Sequence, residues 1–386
     1  MSAANASPTL TEVVSLLEQN FDPSTAEEWD RIGLVTGDPD QPIRRVLFAV
    51  DPLPEVVAEA VASDADLLVA HHPLLLRGVH SVAATDAKGR AVHQLVSNSC
   101  ALLTMHTNAD SALGGVNDAL ADAVGMRSER MPLRPLPETA MARIVVHVSA
   151  EHTDALIAAM AAAGAGKTEH YDFGAFWTDG TGQFRPLSGA EPAVGKIGAL
   201  ERVQQRRVEM VVPSGRMSAV VRALRTTHPY EEPAFTVVEE VGIPGSSGLG
   251  RLGAVAETRL VDLAKNLSQA LPATAHGVRV AGDPDRLIHQ VAVCGGAGDS
   301  LLPAVASSNA DAYVTSDLRH HPATEFRADH DIALLDISHW AGEWLWLDRA
   351  AALLHEQVSA AGGYIEVQVS RHNTDPWTFS VPGDFS

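Results

Sequence analysis

Three short segments of this 386-residue sequence concentrate imidazole and carboxylate groups. His71 and His72 stand side by side before Pro73; His106 and Asp110 are four residues apart; His339 and Glu343 repeat that spacing. Residues four apart on a helix share a face, so His339 and Glu343 point the same way, and His106 and Asp110 do so if their loop opens helically. Imidazole suits first-row transition metals, carboxylates bridge cations, and a site rich in both commonly holds two ions about 3.5–4 Å apart. No thiolate joins these groups, which excludes a Cys-rich zinc knot and leaves an oxygen-and-nitrogen site compatible with Zn, Mn or Fe.

Each group taken singly has an ordinary alternative. The chain has 17 histidines, and any one is more often a surface or hydrogen-bonded residue than a ligand. Asp110 precedes SALGGVNDAL and could simply cap a helix. Glu343 could sit on a solvated helix face, but Trp340, Trp344 and Trp346 argue that this helix is largely buried.

The elements that must position these groups alternate between strand and helix. A first helix is expected in TLTEVVSLLEQNF, capped by Thr11 or Thr9, and EEWDRIGLVTGDPDQP follows as a stretch rich in turn formers. RRVLFAV, DLLVA and ALLTM read as buried strands separated by the helices PEVVAEAVASDA and AKGRAVHQLVSNS, and VNDALADAVG reads as a further helix. Past residue 250 the alternation resumes through LGAVAE, TRLVDLAKNLSQAL, RVAGDP, HQVAVCGG, LLPAVASSN, DAYVTSD, ALLDIS and a helix from HWAGEWLW. Such alternation predicts an α/β fold with a largely parallel sheet, whose strand carboxyl ends open onto a shared crevice. The candidate ligands all follow such strand ends, so all six are expected on one side of one sheet.

Between these stretches the texture changes. PLRPLPETA is a Pro-rich junction, and GIPGSSGLG is a Gly/Ser-rich exit. MARIVVHV, TDALIAAMAAAGAG, VEMVVP, GRMSAVVRALRTT and AFTVVEEV then read as two β-α-β halves of a ferredoxin-like insert at 133–246. The outer α/β domain would be discontinuous, 1–132 joined to 247–386.

A formal charge of −20, from 28 Lys plus Arg against 48 Asp plus Glu, repels phosphate backbones and argues against nucleic acid as a partner. The two cysteines, Cys100 and Cys294, sit in apolar runs and are expected as buried structural thiols in a reducing compartment. No run of about 18 apolar residues and no signal-like start occurs, so a cytoplasmic protein without a membrane span is expected.

At these residues the chain resembles the Nif-three-like family, hexameric dinuclear-metal proteins often labelled GTP cyclohydrolase I type 2 homologs. The resembling segments run in order from WDRIGLVTGDP through LLVAHHPLL, HTNAD, GLGRLG, VTSDLRHH and LLDISHWAGE to NTDPW. The resemblance implies that His71, His72, Asp110, His339 and Glu343 hold the two divalent ions, with Glu343 as bridge. It moves His106 to an outer position beside the ligands. It also implies a toroidal homohexamer, and an insert like nitrogen-regulator PII-like and copper-tolerance-like domains, whose signature HPYEEPAF at 228–235 resembles. Two departures stand out: Ser338 lies where the family usually has Gly before the His, and YDFGAFW lies where longer members carry a Cys-containing segment.

Other motifs are weaker. Gly248, Gly250 and Gly253 fit a dinucleotide fingerprint, but AVAETRL after them reads as a strand, so a hinge or tight turn is expected. Asp317, His320 and His321 form a further strand-end cluster, with Asp317 as helix cap the ordinary reading; the resemblance makes the three pocket lining, with His321 a candidate general base. His228, Tyr230 and Glu231 read as a helix exit before Pro233. Asp51 also ends a strand and could orient a ligand histidine, because metal-bound imidazoles usually donate their other N–H to a carboxylate or carbonyl. Two functions follow as expectations. One is a metal-dependent hydrolase whose ions activate water toward a nucleotide or phosphoester. The other is a non-catalytic metal-binding or regulatory protein whose insert senses a small molecule.

Overall fold

A computed structural model of the chain describes residues 7–137, 141–168, 170–239 and 244–381. It divides into two compact units, an outer one of residues 1–136 and 246–386 and an inner one of residues 137–245.

The outer unit opens with α1 (Leu10–Asn20), started by a capping box in which Thr9 and Glu12 satisfy each other's backbone N–H groups. Next come β1 (Gly33–Thr36), β2 (Arg45–Ala49), α2 (Pro54–Ala62), β3 (Leu67–Ala70), α3 (Ala87–Ser97), β4 (Ala101–Thr104), α4 (Thr107–Ser111) and α5 (Val116–Ala123). Strands β2, β3 and β4 run parallel as neighbours, and β1 lies antiparallel along β4. Every residue of β3 and β4 is buried, as expected of parallel strands covered on both faces. Two short strands, β5 (Arg130–Met131) and β6 (Arg134–Pro137), end this half.

The inner unit contains β7 (Met141–Val148), α6 (Thr153–Ala162), β8 (Phe176–Phe184), β9 (Glu201–Pro213), α7 (Met217–Thr227) and β10 (Phe235–Glu239). Its four strands pair antiparallel in the order β10-β7-β9-β8. Alternate residues Ile144, Val146 and Val148 of β7 and Val208, Met210 and Val212 of β9 face Leu156, Met160, Val220 and Leu224 of the two helices. Strand β8 was absent from the sequence reading. Its residues, FWTDGTGQF, are mostly exposed and include two glycines, so neither burial nor propensity marks it.

The chain returns to the outer unit through β11 (Pro244–Leu249), which pairs with β6, and β12 (Arg251–Arg259). A strand thus follows the glycines of GLGRLG, and Gly248 and Gly250 take positive φ values of 145° and 68° at the turn between β11 and β12. The chain continues with α8 (Leu260–Ala270), β13 (Val278–Ala281), β14 (Leu287–Ala297), α9 (Leu302–Ala306), β15 (Ala312–Ser316), α10 (His320–Asp329), β16 (Ala333–Ile337), α11 (His339–Ala360) and β17 (Glu366–Val369). A second sheet forms in the order β13-β16-β15-β14-β12-β5, while β17 joins the first sheet beside β2.

The expected single sheet is therefore two. Strands β14, β15 and β16 are parallel to one another, but they do not pair with β2, β3 or β4. Strand-helix alternation specifies parallel neighbours within a run and carries no information on whether two runs share a sheet. The second run retraces the first: α8-β13-β14-α9-β15-α10-β16-α11 repeats the succession α1-β1-β2-α2-β3-α3-β4-α5, apart from the one-turn α4, and an antiparallel strand borders the third parallel strand in both. Helix α11 packs Trp346, Leu347 and Ala350 against Phe48, Val69 and Leu103 of the first sheet, and also touches β14 and β15 of the second. Among the described residues, no helix is long and apolar enough to cross a membrane.

Candidate metal centre

The backbone of His71 and His72 extends the ladder beyond β3, with their N–H groups donating to the carbonyls of Ala49 and Val50. His71 is fully buried, and its Nδ1–H donates to the Met105 carbonyl at 2.8 Å. A carbonyl only accepts, so Nδ1 carries a proton and Nε2 is the nitrogen turned toward Glu343 and Asp110. The other three imidazoles follow the same rule with carboxylates. His72 Nδ1 donates to Asp51 Oδ1 at 2.7 Å, His106 Nδ1 to Asp30 Oδ1 at 2.8 Å, and His339 Nδ1 to Asp317 Oδ2 at 2.6 Å. This is the outer bonding pattern that orients metal-bound histidines.

Three elements converge. His106 caps the one-turn helix α4, whose first turn carries Asp110, so the HTNAD loop does open helically. His339 and Glu343 occupy the first turns of α11 and lie on one face. Glu343 is the focus: His339 Nε2 is 2.9 Å from its Oε1, His72 Nε2 is 3.1 Å from its Oε2, and His71 Nε2 is 3.5 Å from Oε1. Asp110 Oδ1 lies 3.7 Å from His71 Nε2, and the Nε2 atoms of His72 and His339 are 3.3 Å apart. Donor atoms of His71, His72 and His106 fall within 4.8 Å of one another, as do those of His72, His339 and Glu343. His106 thus stands beside His71 and His72 in the cluster. Its ring centre is 5.1 Å from that of His71.

Three buried atoms of this cluster, His71 Nε2, Asp110 Oδ1 and Glu343 Oε2, have no hydrogen-bond partner. Buried polar atoms are almost always paired, so three orphans within one cluster mark a place that a cation could occupy. The neighbouring backbone leaves room for one. At Gly296, where β14 ends with φ of +68°, an added Cβ would lie 2.7 Å from Glu343 Oε1 and 3.4 Å from His339 Nε2. Buried Asn117 ties the two sheets together here, its Nδ2 donating to the Asp110 carbonyl and its Oδ1 accepting from Gly295 N–H.

Without a metal the charges compensate among themselves. Burial opposes ionisation of Glu343, but the surrounding imidazoles hold its carboxyl well below the usual range. Burial likewise disfavours charge on His72 and His339, yet the Glu343 charge and the hydrogen bonds to Asp51 and Asp317 raise them to about 10 and about 11. Burial pushes Asp110 up, although the neighbouring His71 and His106 imidazoles oppose the shift.

A cavity of about 250 Å³ adjoins the cluster, with Asp51, His276, Asp317, Trp340, Asp375 and Trp377 in its wall. Asp317 takes φ of +55°, a left-handed conformation that Asp tolerates, and caps no helix, because Arg319 holds the N-cap position of α10. His320 and His321 begin α10 as exposed side chains and are absent from this wall. His276 stands there instead, its Nε2–H donating to buried Asp336 at 3.0 Å. The sequence reading missed His276 because it precedes a strand, and missed Asp30 because it lies in the WDRIG loop. In the inner unit, His228 Nε2–H donates to the His147 carbonyl and its Nδ1 accepts the Tyr230 N–H, which shapes the exit of α7. Both cysteines are buried, and burial pushes each thiol up to about 12.

The two-sheet α/β unit and its histidine-carboxylate cluster define a protein with side-chain groups able to hold a metal ion. Residues 8–376 match the family model Duf34/NIF3 (NGG1p interacting factor 3), and the chain belongs to that family. It is 47% identical over 370 residues to a Mycobacterium tuberculosis protein named GTP cyclohydrolase 1 type 2 homolog, covering 95% of this chain and 96% of that one. Among solved structures, it is similar to a Bacillus cereus protein related to NIF3, with 34% identity, a TM-score of 0.68, and 97% and 99% of the two chains covered. A Staphylococcus aureus structure matches at 26% identity and a TM-score of 0.79, covering 97% and 99%.

Proposed function

We propose that the cluster binds two divalent cations, Zn, Mn or Fe, and that the chain is a metal-dependent hydrolase acting on a nucleotide or phosphoester. The observation that carries this reading is the set of orphaned buried atoms on His71, Asp110 and Glu343, amid imidazoles already fixed at Nδ1. His71, His72, Asp110, His339 and Glu343 would hold the ions, Glu343 offering one oxygen to each side, with His106 beside them. Bound there, the cations would supply Lewis acidity to a water and to a phosphoryl or carbonyl oxygen. Asp51, Asp317 and the Met105 carbonyl keep the ligand imidazoles in one tautomer, and His276, fixed by Asp336, can exchange a proton at Nδ1 within the cavity wall. The nucleotide enters through the name of the M. tuberculosis relative. A homohexamer belongs to the same reading and predicts sixfold mass in light scattering.

Metal analysis of the purified protein, followed by a screen of nucleotides and phosphoesters with added Mn or Zn, tests the reading. Full metal stoichiometry in both His71→Ala and Glu343→Ala would show the site assignment to be wrong. A second reading, a non-catalytic regulatory protein, is favoured by a cavity of about 1010 Å³ in the inner unit, walled by His147, Gln205, Arg207, Tyr230 and Glu231. Two bound ions with no turnover would select it.

A further inference from the structure

The segment after β17 makes contacts that neither the ligand set nor the family resemblance assigns. Thr374, nearly buried, donates its hydroxyl to Asp51 Oδ2 at 2.5 Å, and the other oxygen of Asp51 accepts from His72 Nδ1. One residue on, Asp375 Oδ2 accepts from the Ser338 hydroxyl, while its Oδ1 accepts the Trp377 N–H at 2.9 Å. Ser338 is the N-cap of α11, its Oγ accepting from Ala341 N–H, and it immediately precedes His339. Asn373 adds an anchor to the Ala273 carbonyl at 3.2 Å.

We infer that Thr374 and Asp375 act as a clamp that sets the spacing of His72 and His339, and that this C-terminal segment is a positioning element of the metal site. The two histidines come from different sheets, so nothing in either ladder fixes the distance between them. The clamp reaches both, one through Asp51 and the other through the helix cap. Ser338 takes an ordinary extended backbone, φ −62° and ψ 132°, so no glycine-specific conformation is needed there. A glycine at this position has no hydroxyl to give Asp375, so that arm of the clamp depends on Ser338. A carboxylate orienting a ligand histidine must itself be held, and loss of such outer partners typically weakens metal binding 10–100-fold.

This inference rests on the metal-binding reading, and the test separates the two. Zn or Mn affinity is measured by chelator competition on the full-length wild type, Thr374→Val, Thr374→Ser, Asp375→Ala and Ser338→Gly, alongside thermal melts of the metal-free proteins. Thr374→Val and Asp375→Ala are expected to bind about 10–100-fold more weakly, with Thr374→Ser close to wild type because the hydroxyl is kept. Ser338→Gly should weaken binding too, and since glycine is itself an acceptable N-cap it tests the hydroxyl even if Asp375→Ala fails to fold. Variants that match wild-type affinity, or a Thr374→Ser as weak as Thr374→Val, overturn the clamp while leaving the metal reading intact. A wild type that binds no divalent ion overturns both.

Discussion

The Nε2 atoms of His72 and His339 lie 3.3 Å apart, although each ring already gives its Nδ1 proton to a carboxylate. Two bare acceptors at that distance repel, and so do two protonated nitrogens unless an anion lies between them. Glu343 is that anion when metal is absent.

Metal binding should therefore release protons. With His72 and His339 raised to about 10 and about 11, both are charged at pH 7 in the metal-free protein, and a ligand imidazole must be neutral. About two protons per chain are expected to leave on loading, read as a dependence of calorimetric enthalpy on buffer ionisation heat. Identical enthalpies across buffers would count against it. The same charges stabilise the metal-free fold fully below the unfolded histidine value of about 6.5, and that contribution is lost as pH rises through 10 to 11.

Gly296→Ala should disable the site with little effect on the rest of the fold. The new methyl would meet Glu343 Oε1 at 2.7 Å, and its left-handed backbone adds about 1–2 kcal/mol of strain. Metal stoichiometry should fall while circular dichroism stays unchanged. Normal metal content in this variant would mean that the ions sit elsewhere.

Asp30→Ala is expected to cost roughly 3 kcal/mol, since it leaves His106 Nδ1 and the Thr107 N–H and hydroxyl without their charged acceptor. Burial alone would raise the Asp30 carboxyl, but the hydrogen bonds from His106 and Thr107 hold it below the usual carboxylate range. Its contribution is thus present above the unfolded value of about 3.9 and lost as pH falls below it. Urea titrations at pH 7 and pH 3 should show a large difference between wild type and variant at the first and a smaller one at the second.

Arg251→Ala should be among the most damaging substitutions, at about 3–5 kcal/mol. The guanidinium is 1% exposed, pairs with Asp118 at 2.9 Å, and donates to the carbonyls of Ala112, Gly248 and Gly250. Its removal takes one of two cations from the buried Asp118 carboxylate, leaving Arg130 at 2.7 Å, and orphans three carbonyls. Replacing both members with apolar residues should recover much of the loss in chemical denaturation, and failure to do so would show that the carbonyl contacts dominate.

The histidine-carboxylate cluster was legible because each of its segments follows a buried apolar strand, where an imidazole or carboxylate has no packing role to explain it. Asp51 was legible on the same ground. Asp30 and His276 were not, since both sit in loops whose partners are set only by tertiary contacts 60 to 77 residues away. Gly296 was invisible because a glycine at a strand end announces a turn and not the volume it vacates. The strand-helix texture of the outer unit was readable, while its division into two sheets was not. The repeat of one half by the other exists in element order and was not seen in the sequence as similar residues. Strand β1 hid within a segment of turn formers, and β8 in exposed residues.

Each half of the outer unit supplies an incomplete hand of donors. His71, His72, His106 and Asp110 come from the first, and His339 and Glu343 from the second. His72 and His339 are 267 positions apart, with the whole inner unit between them, so the last groups of the cluster meet only after a loop of that length has closed. A cation that requires both halves is therefore held by finished molecules alone, and by mass action it withdraws them from the unfolded population. If the cluster binds the cations proposed, metal supply would govern how much of the protein survives as folded chain, quite apart from any reaction it performs.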